Sequence, residues 1–476
     1  MTIGDAYEAH DAIGLAELVR RGEVQPVELL EAAIERSERL NPKINAVVIP
    51  LFEEARRLVA SGPPEGPLRG VPFLLKDLYA LYAGAPITHG SQLFSDFVPD
   101  HDSELVTRYR RAGLVIFGRS ASPEFGLVTS TESRLFGATR NPWNLERIAG
   151  GSSGGAAAAV AAGIVPAAHA SDGGGSIRIP ASCCGLFGLK PTRARTPSGP
   201  DAGEGWSGMS TAHAVTRSVR DSAALLDASH GADLGAPYWA PPPERPYLEE
   251  VGAAPGRLRI ALQTRAFNGV ETHPDCIAAA EEAAKLCADL GHEVESAELQ
   301  IDVEGFARAS QVIIAANLRA TLVDRAAELG RELAPDDVEP MTHVMASVVK
   351  DVEAADYARA IRTIHGLGRQ VARFLESYDV LLTPTLATPP FEIGRLSLSA
   401  SDLPVFMESL LKTIGFTQLF NATGNPGASI PLYWNGAGLP IGVQLVGRFG
   451  DEATLLRLSA QLEQERPWWD RRPPLA

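Results

Sequence analysis

Two glycine-serine loops on either side of an alanine-rich segment constrain this chain more than any other stretch. The first loop covers residues 150–155 (GGSSGG) and the second covers residues 173–176 (GGGS). Alanine has the highest helix propensity and a small side chain, so the segment after the first loop predicts a close-packed helix. The short apolar run 163–168 predicts a buried strand before the second loop.

The second loop is typical of an oxyanion-binding turn. Three glycines directly precede Ser176. Without a Cβ, the backbone NH groups of Gly173, Gly174 and Gly175, and that of Ser176 itself, can come close to a developing oxyanion. We therefore predict Ser176 as the nucleophile and the three glycines as oxyanion or substrate-binding residues. A serine hydroxyl also needs a base to remove its proton.

The first loop offers a second nucleophile. Residues 151–155 fit the G-x-S-x-G elbow of α/β-hydrolases, with Ser153 at its centre. That elbow requires a strand directly before it. The preceding residues 141–149 are polar (NPWNLERIA) and are not typical of such a strand, which disfavours this interpretation.

The spaced motifs GVPFLLKD, GGSSGG and SDGGGSIRIPASCCGLFGLKPT resemble those of the amidase signature family of serine hydrolases. The resemblance implies a Ser–cis-Ser–Lys triad with Ser176 as nucleophile, Ser152 as the bridging serine and Lys76 as the base. Several agreeing motifs are more specific than one glycine-rich loop. Many family members carry Thr or another side-chain-bearing residue where this chain has Gly173, so the second loop departs from the usual pattern.

Lys76 follows the apolar residues 71–75, which predict a buried strand. A buried lysine loses the hydration of its charge, so its pKa falls and it can act as a neutral base. A surface lysine at a strand end is the ordinary alternative, and the matched motif favours catalysis over it.

The resemblance implies one α/β domain over residues 1–476, with a central mixed β-sheet covered by helices on both faces. Within it we expect N-terminal covering helices in 1–60, a catalytic core in 65–235 and a variable helical specificity region in 301–410. Apolar spacing between residues 10 and 40 predicts two amphipathic helices. Strand, helix and strand patterns at 257–263, 274–290 and 292–299 predict a βαβ-like unit, and further buried strands are expected at 378–386 and 439–447.

Composition narrows the classes of partner and the compartment that we expect for this chain. The net charge is −15, and Lys and Arg form no cluster, which argues against a nucleic acid or an anionic membrane. The N-terminal residues do not resemble a secretory signal. The four cysteines lack C-x-x-C or zinc-type spacing, so we expect no metal, no cofactor and a reducing, cytoplasmic setting. We expect a small-molecule amide substrate and a homodimer, since dimers are common among soluble enzymes.

Other residues in the central stretch have structural interpretations. Ser153 and Ser171 are expected to satisfy backbone groups in turns, and Asp172 and Arg178 to form a buried ion pair. Lys190 is expected to be structural. Cys183 and Cys184 could supply a thiol nucleophile, but paired buried cysteines more often pack as small apolar side chains.

Three functions remain open. A phosphate- or nucleotide-binding module would use the first loop at a helix N-terminus, yet neither usual nucleotide motif is present. The amidase subunit of a tRNA-dependent amidotransferase would share the triad. A stand-alone amidohydrolase with an acyl-enzyme is favoured, and the segments 44–57, 70–78, 137–144 and 430–446 resemble the branch that hydrolyses 6-aminohexanoate cyclic dimer. The pocket residues that choose the amide are expected within 301–420.

Overall fold

A mixed sheet of eleven strands is the frame of the molecule. The computed structural model describes residues 3–350 and 352–475, so residues 1, 2, 351 and 476 of the expected domain lie outside the described part. The strands are β1 (Val47–Pro50), β2 (Pro72–Lys76), β3 (Val115–Ser120), β4 (Glu132–Ser133), β5 (Gly137–Ala138), β6 (Arg140–Asn141), β7 (Asn144–Ile148), β8 (Ala167–Asp172), β9 (Phe187–Lys190), β10 (Thr211–Thr216), β11 (Arg259–Leu262), β12 (Glu293–Ser296), β13 (Val380–Pro384), β14 (Gly427–Trp434) and β15 (Pro440–Gly447).

The sheet order is β1-β3-β2-β8-β10-β9-β14-β15-β13-β11-β12. β2 runs parallel to β3 and β8, and β11 runs parallel to β12 and β13, whereas the other neighbours are antiparallel. β4 with β5, and β6 with β7, form two small separate sheets. The predicted mixed α/β architecture is confirmed.

Helices flank this sheet on both faces. Those in the described residues are α1 (Ile3–Ala9), α2 (Ala12–Arg20), α3 (Pro26–Ile44), α4 (Phe52–Ser61), α5 (Glu104–Arg111), α6 (Gly154–Ala161), α7 (Arg178–Cys184), α8 (Val219–Ser229), α9 (Tyr247–Glu250), α10 (Pro274–Asp289), α11 (Val303–Glu328), α12 (Pro340–Ser347), α13 (Ala354–Ser377), α14 (Leu403–Ile414), α15 (Gln418–Thr423) and α16 (Glu452–Glu465).

The two amphipathic helices expected between residues 10 and 40 are α2 and α3. The carboxylate of Asp11 caps α2 by accepting from the NH of Gly14, and α3 begins at Pro26, whose ring suits the first helical turn. β1 then pairs antiparallel with β3, so the first sixty residues contribute an edge strand as well as helices. The βαβ-like unit is also confirmed, because α10 connects the parallel strands β11 and β12.

The strand predicted at 163–168 has the wrong bounds. Gly163 has a φ of 74°, in the left-handed region, and β8 begins only at Ala167. Pro166 lacks an NH for the ladder, which accounts for the later start. As a result, Ser171 and Asp172 are strand residues and not part of the turn.

The parallel pairing of β2 and β8 positions the candidate site. Leu74 lies opposite Ala168, so the carboxyl ends of both strands meet at the same edge of the sheet. The predicted Ala-rich helix is α6, whose eight residues are all buried. Small side chains on α6 allow it to pack closely beside these strand ends.

Candidate active site

Lys76, the last residue of β2, lies at the centre of the candidate site. Its side chain is fully buried, and its Nζ lies 2.7 Å from the Oγ of Ser152 and 3.0 Å from the Oγ of Ser171. The Lys76 NH donates to Nδ1 of His169 at 3.2 Å. The motifs thus singled out two residues, Lys76 and Ser152, that the fold brings into direct contact.

The surroundings of Lys76 favour its neutral form. Burial lowers the pKa of Lys76 to about 7, against the opposing influence of the Asp172 charge. A substantial share of this amine is therefore unprotonated near neutral pH and can accept a proton. Burial, with the nearby Lys76 and Arg119 charges, also lowers the pKa of His169 to about 3, so this imidazole is neutral.

Ser152 follows a cis peptide bond, Gly151–Ser152, as the resemblance implied. A Cβ on Gly151 would lie 2.4 Å from the carbonyl oxygen of Ser130, so only glycine fits here. The neighbouring Ser153 behaves as a structural residue, because its Oγ contacts the backbone O and N of Ser171 at 3.2 and 3.3 Å.

The segment before the first loop differs from expectation. Residues 144–148 do form a strand, β7, although we predicted none there. β7 pairs with β6 in a small two-stranded sheet, forms an isolated antiparallel bridge between Arg147 and Glu392, and alternates between exposed and part-buried residues up to Ile148. It is therefore not the central-sheet strand that an α/β-hydrolase elbow requires.

Ser176 borders the cavity beside Ser152 and is 7% exposed. Its hydroxyl makes no hydrogen bond with any other residue in the described part of the chain. A nucleophile in this position is open to a substrate that enters the cavity.

One predicted oxyanion donor is already engaged. The NH of Gly175 donates to Oδ1 of Asp172 at 2.7 Å, because this carboxylate closes the turn and also accepts from the NH of Ile177. The assignment of Gly175 as an oxyanion donor is therefore corrected. Across the described chain, the NH groups of Gly173, Gly174 and Ser176 have no such partner and remain candidates.

The predicted ion pair under the loop is confirmed. Nη2 of Arg178 lies 2.9 Å from Oδ1 of Asp172, and both side chains are 0% exposed. Burial raises the pKa of Asp172, but the Arg178 guanidinium, the Lys190 charge and the hydrogen bond from Asn421 together lower it more, so the net pKa lies well below the usual range. Arg178 also donates to Gln444 and Asn421, each at 2.7 Å, which ties the loop to the C-terminal part of the sheet.

A cavity of about 430 Å³ opens onto these residues. Ser152, Ser171, Gly173 and Ser176 line it, and most of its lining surface is apolar. The larger apolar lining residues include Leu78, Leu81, Phe94, Phe97, Phe125 and Trp206. The lining residues from the predicted specificity region all lie on α11: Asn317, Thr321, Asp324, Arg325 and Glu328.

Sequence reasoning missed Ser171, His169 and Trp206 as site residues. Ser171 was assigned to a turn, but its hydroxyl contacts Lys76. Residues two apart on a strand share a face, so the correct bounds of β8 would have placed His169 and Ser171 together. No sequence signal that we recognise points to Trp206.

The thiol alternative does not fit the structure. Cys183 and Cys184 are 1% and 0% exposed, and burial raises the pKa of Cys183 to about 12. A reactive cysteine needs an exposed, electropositive setting. Lys190 is buried as well, and its Nζ donates to the carbonyl of Pro191 at 2.8 Å, in keeping with a structural role.

The phosphate-binding alternative is also disfavoured. At the start of α6, the NH of Gly154 donates to Thr131 and that of Gly155 to the carbonyl of Ala121. These NH groups are the ones that a phosphate would need. Over residues 3–350 and 352–475, no group of three or more His, Cys, Asp or Glu side chains could hold a metal ion. None of the helices in the same ranges is long and apolar enough to cross a membrane.

Comparison with known proteins agrees with the motifs. The family model described as Amidase matches residues 28–456. A 6-aminohexanoate-cyclic-dimer hydrolase from Paenarthrobacter ureafaciens is 42% identical, with 98% of this chain and 96% of that protein covered.

Solved structures give the same result. A structure of 6-aminohexanoate cyclic dimer hydrolase superposes with a TM-score of 0.93 at 40% identity, covering 98% of this chain and 99% of that one. A glutamyl-tRNA(Gln) amidotransferase subunit from Thermotoga maritima has a TM-score of 0.75 at 27% identity, covering 98% and 95%. The chain therefore belongs to the amidase signature family and is an amidohydrolase.

Proposed function

We propose that this enzyme hydrolyses cyclic or linear amides of the 6-aminohexanoate type through a Ser176–Ser152–Lys76 triad and an acyl-enzyme. The observation that carries the proposal is the 2.7 Å contact between Lys76 Nζ and Ser152 Oγ beside the cavity that Ser176 borders. A buried amine with a lowered pKa in contact with Ser152 supports Ser152 as the group that would pass the proton of Ser176 to Lys76.

In the acylation step, Lys76 accepts the proton of Ser152 while Ser152 accepts the proton of Ser176. The Ser176 oxygen attacks the amide carbonyl carbon and forms a tetrahedral oxyanion. The NH groups of Gly173, Gly174 and Ser176 are the candidate donors to this oxyanion, and loss of one such donor typically costs about 3 kcal/mol. The relay requires a Ser176–Ser152 hydrogen bond in the substrate complex, and catalytic hydrogen bonds often tighten only on binding.

Collapse of the tetrahedral species breaks the carbon–nitrogen bond. The proton held by Lys76 returns through Ser152 to the leaving nitrogen, and an ester to Ser176 remains. Water then attacks this ester with the same relay as base. The carbon–oxygen bond to Ser176 breaks, the Ser176 hydroxyl regains a proton and the carboxylic acid departs. In a cyclic substrate the amine is the other end of the acyl chain, so it stays tethered to the enzyme until this last step releases a single linear product.

The substrate class rests on the relatives and on the cavity. The similar hydrolase acts, by its name, on 6-aminohexanoate cyclic dimer. The cavity walls around Phe94, Phe125 and Leu78 offer apolar surface that suits the methylene chains of such an amide. The glycine and serine backbone that also borders the cavity offers the polar groups that an amide carbonyl needs.

The amidotransferase role is the second candidate, supported by the full-length similarity to the Thermotoga maritima protein. The lower identity and TM-score of that protein make us favour the stand-alone hydrolase. We further propose that the enzyme works in the reducing cytoplasm, which is compatible with four free, buried cysteines. A homodimer stays a prediction.

A mass-spectrometric hydrolysis panel tests the proposal. The purified chain and its Lys76→Ala variant would be incubated with 6-aminohexanoate cyclic dimer, a short aliphatic amide, an anilide and glutamine. We expect the cyclic dimer to gain one water with the wild type and to stay intact with the variant. Cleavage of the simple amides alone would refute the cyclic substrate, and glutamine hydrolysis that depends on a copurified partner would favour the amidotransferase.

A further inference from the structure

The indole of Trp206 lies where a side chain at Gly173 would be. A Cβ built on Gly173 would lie 2.8 Å from both Cε3 and Cζ3 of Trp206, which is closer than real contacts allow. Trp206 also lines the cavity together with Gly173 and Ser176. The missing side chain in the second loop is thus replaced by an aromatic ring from a different part of the chain.

The backbone around Trp206 is held in this position. Trp206 and Ser207 both have a positive φ, 47° and 53°, which is uncommon for residues with a side chain. The turn that contains them is closed by a bridge between Gly205 and Ser210.

Contacts from three distant segments hold the same turn. The Ser207 hydroxyl accepts from Nδ2 of Asn317 on α11 at 3.2 Å and contacts the hydroxyl of Tyr357 on α13. Nε of Arg193 donates to the carbonyl of Gly208 at 2.6 Å. The backbone that carries the ring is therefore held from several sides, which limits how far the indole can move.

We propose that Trp206 is a specificity-determining residue whose indole forms the wall of the acyl subsite, admitting unbranched methylene chains and rejecting amides branched at the carbon next to the carbonyl. The inference rests on the proposed function, because it requires acylation at Ser176.

The argument follows from where the reacting carbonyl must lie. Its oxygen points to the NH groups of the second loop, and its carbon lies at Ser176, so the next carbon of the acyl chain comes beside Gly173. The indole occupies this side of the loop. A flat ring leaves room for a CH₂ group but not for an additional methyl group, since closely packed walls tolerate little extra volume.

The same geometry makes Gly173 and Trp206 interdependent. Gly173→Ala alone forces the new methyl into the indole, whereas a simultaneous Trp206→Ala removes the conflict. Gly174 is the matched control in the same loop, because the nearest atom to its Cβ is Cγ of Gln418 at 3.8 Å. Any activity that Gly174→Ala loses should not be regained in the Gly174→Ala/Trp206→Ala double variant.

The test compares kcat/KM for hexanamide and 2-methylhexanamide. For the wild type we expect a preference of about 50-fold or more for the unbranched amide, and for Trp206→Ala a preference at least about tenfold smaller. Trp206→Phe, which is smaller but still aromatic, should lie between them and keeps the test valid if Trp206→Ala does not fold. Gly173→Ala should lose activity that the Gly173→Ala/Trp206→Ala double variant partly regains.

The outcomes separate the two proposals. A wild type that hydrolyses hexanamide while the preference stays unchanged in both Trp206 variants would overturn the role of Trp206 and leave the amidase intact. A wild type that hydrolyses both amides equally well would also overturn the role of Trp206 and leave the amidase intact. A wild type that hydrolyses neither amide would overturn the acyl subsite proposed for Trp206, and hydrolysis of 6-aminohexanoate cyclic dimer by the same preparation would leave the proposed function intact.

Discussion

Lys76 Nζ and Ser152 Oγ lie 2.7 Å apart in a region that excludes bulk water, with the two residues 0% and 2% exposed. Water normally stabilises the ammonium form of lysine, and among the described residues no carboxylate is in direct contact with Lys76 Nζ to replace it. The amine therefore gives up its proton at a lower pH than usual, and the nearest group from which it can take one back is the Ser152 hydroxyl.

Amide hydrolysis should depend on the neutral form of Lys76. Burial lowers its pKa to about 7, so kcat/KM should rise about tenfold per pH unit below that value and level off above it. A pH–rate profile of the wild type checks this. Lys76→Arg, which stays protonated at all these pH values, should be inactive throughout, and a flat wild-type profile through pH 7 would contradict the assignment.

Lys76 should also lower the stability of the fold in a pH-dependent way. Its folded-state pKa of about 7 is below the unfolded value of 10.5, so the unfolded chain binds more protons between these values and stability rises with pH across that window. Lys76→Met should therefore raise the free energy of unfolding at pH 6, by roughly 2–4 kcal/mol, with a smaller gain near pH 10. Urea unfolding at both pH values measures it, with the exposed Lys43→Met as control.

The two serines should differ in how much activity they control. Ser176→Ala removes the nucleophile and should abolish hydrolysis, whereas Ser152→Ala interrupts the relay and should leave a strongly reduced rate. Cys183→Ala is the control, because its buried thiol takes no part in the proposed chemistry. Turnover numbers for one amide check all three, and near-wild-type turnover by Ser176→Ala would refute the triad.

Breaking the buried ion pair should destabilise the protein strongly. Arg178→Met leaves the Asp172 carboxylate buried without its partner, which should cost about 3–5 kcal/mol. The exposed pair Arg57–Glu54 is the matched comparison, and Arg57→Met should cost less than about 1 kcal/mol. Chemical denaturation of both variants measures the two losses of unfolding free energy. Equal losses would show that the buried pair stabilises the fold no more than the exposed pair does.

Gly175 should not tolerate a side chain. Its φ is 135°, and a Cβ would lie 2.4 Å from Oγ1 of Thr417 and 2.5 Å from Cδ1 of Ile179. Gly175→Ala should displace the loop and reduce kcat at least about 100-fold, because small misplacements of catalytic groups are costly. Gly174→Ala should be impaired less. The contrary result, with Gly174→Ala the worse variant, would argue against steric control at Gly175.

Local patterns predicted much of the framework. The apolar run before Lys76 predicted a buried strand, the glycine-serine motif predicted the loop with Ser152, and charge with proximity predicted the Asp172–Arg178 pair. Each of these depends on neighbours within a few positions along the chain. The family resemblance supplied the triad roles, which stay predictions.

Features that depend on distant parts of the chain could not be predicted. The loop that carries Trp206 reaches Gly173 only in the folded sheet, and two of its positive φ values fall on Trp206 and Ser207, which have side chains. The engagement of Gly175 by Asp172 requires the true end of β8, which the apolar pattern placed too early. Likewise, α11 lies within a broad expected specificity region. Only the fold shows that α11, which carries Asn317, is the part of that region that lines the cavity.

The contacts of Arg178 with Asn421 and Gln444, together with the pairing of β9 with β14, have a consequence for biosynthesis. The ribosome releases Lys76, Ser152 and Ser176 long before it adds the segments that hold the Arg178 guanidinium. Until then, β9 has an unpaired edge and the second loop lacks its anchors, so the nascent chain exposes surface that invites aggregation. The proposed catalytic residues can therefore assemble only near the end of translation, and a prematurely terminated product would contain Lys76, Ser152 and Ser176 without the contacts that hold the second loop.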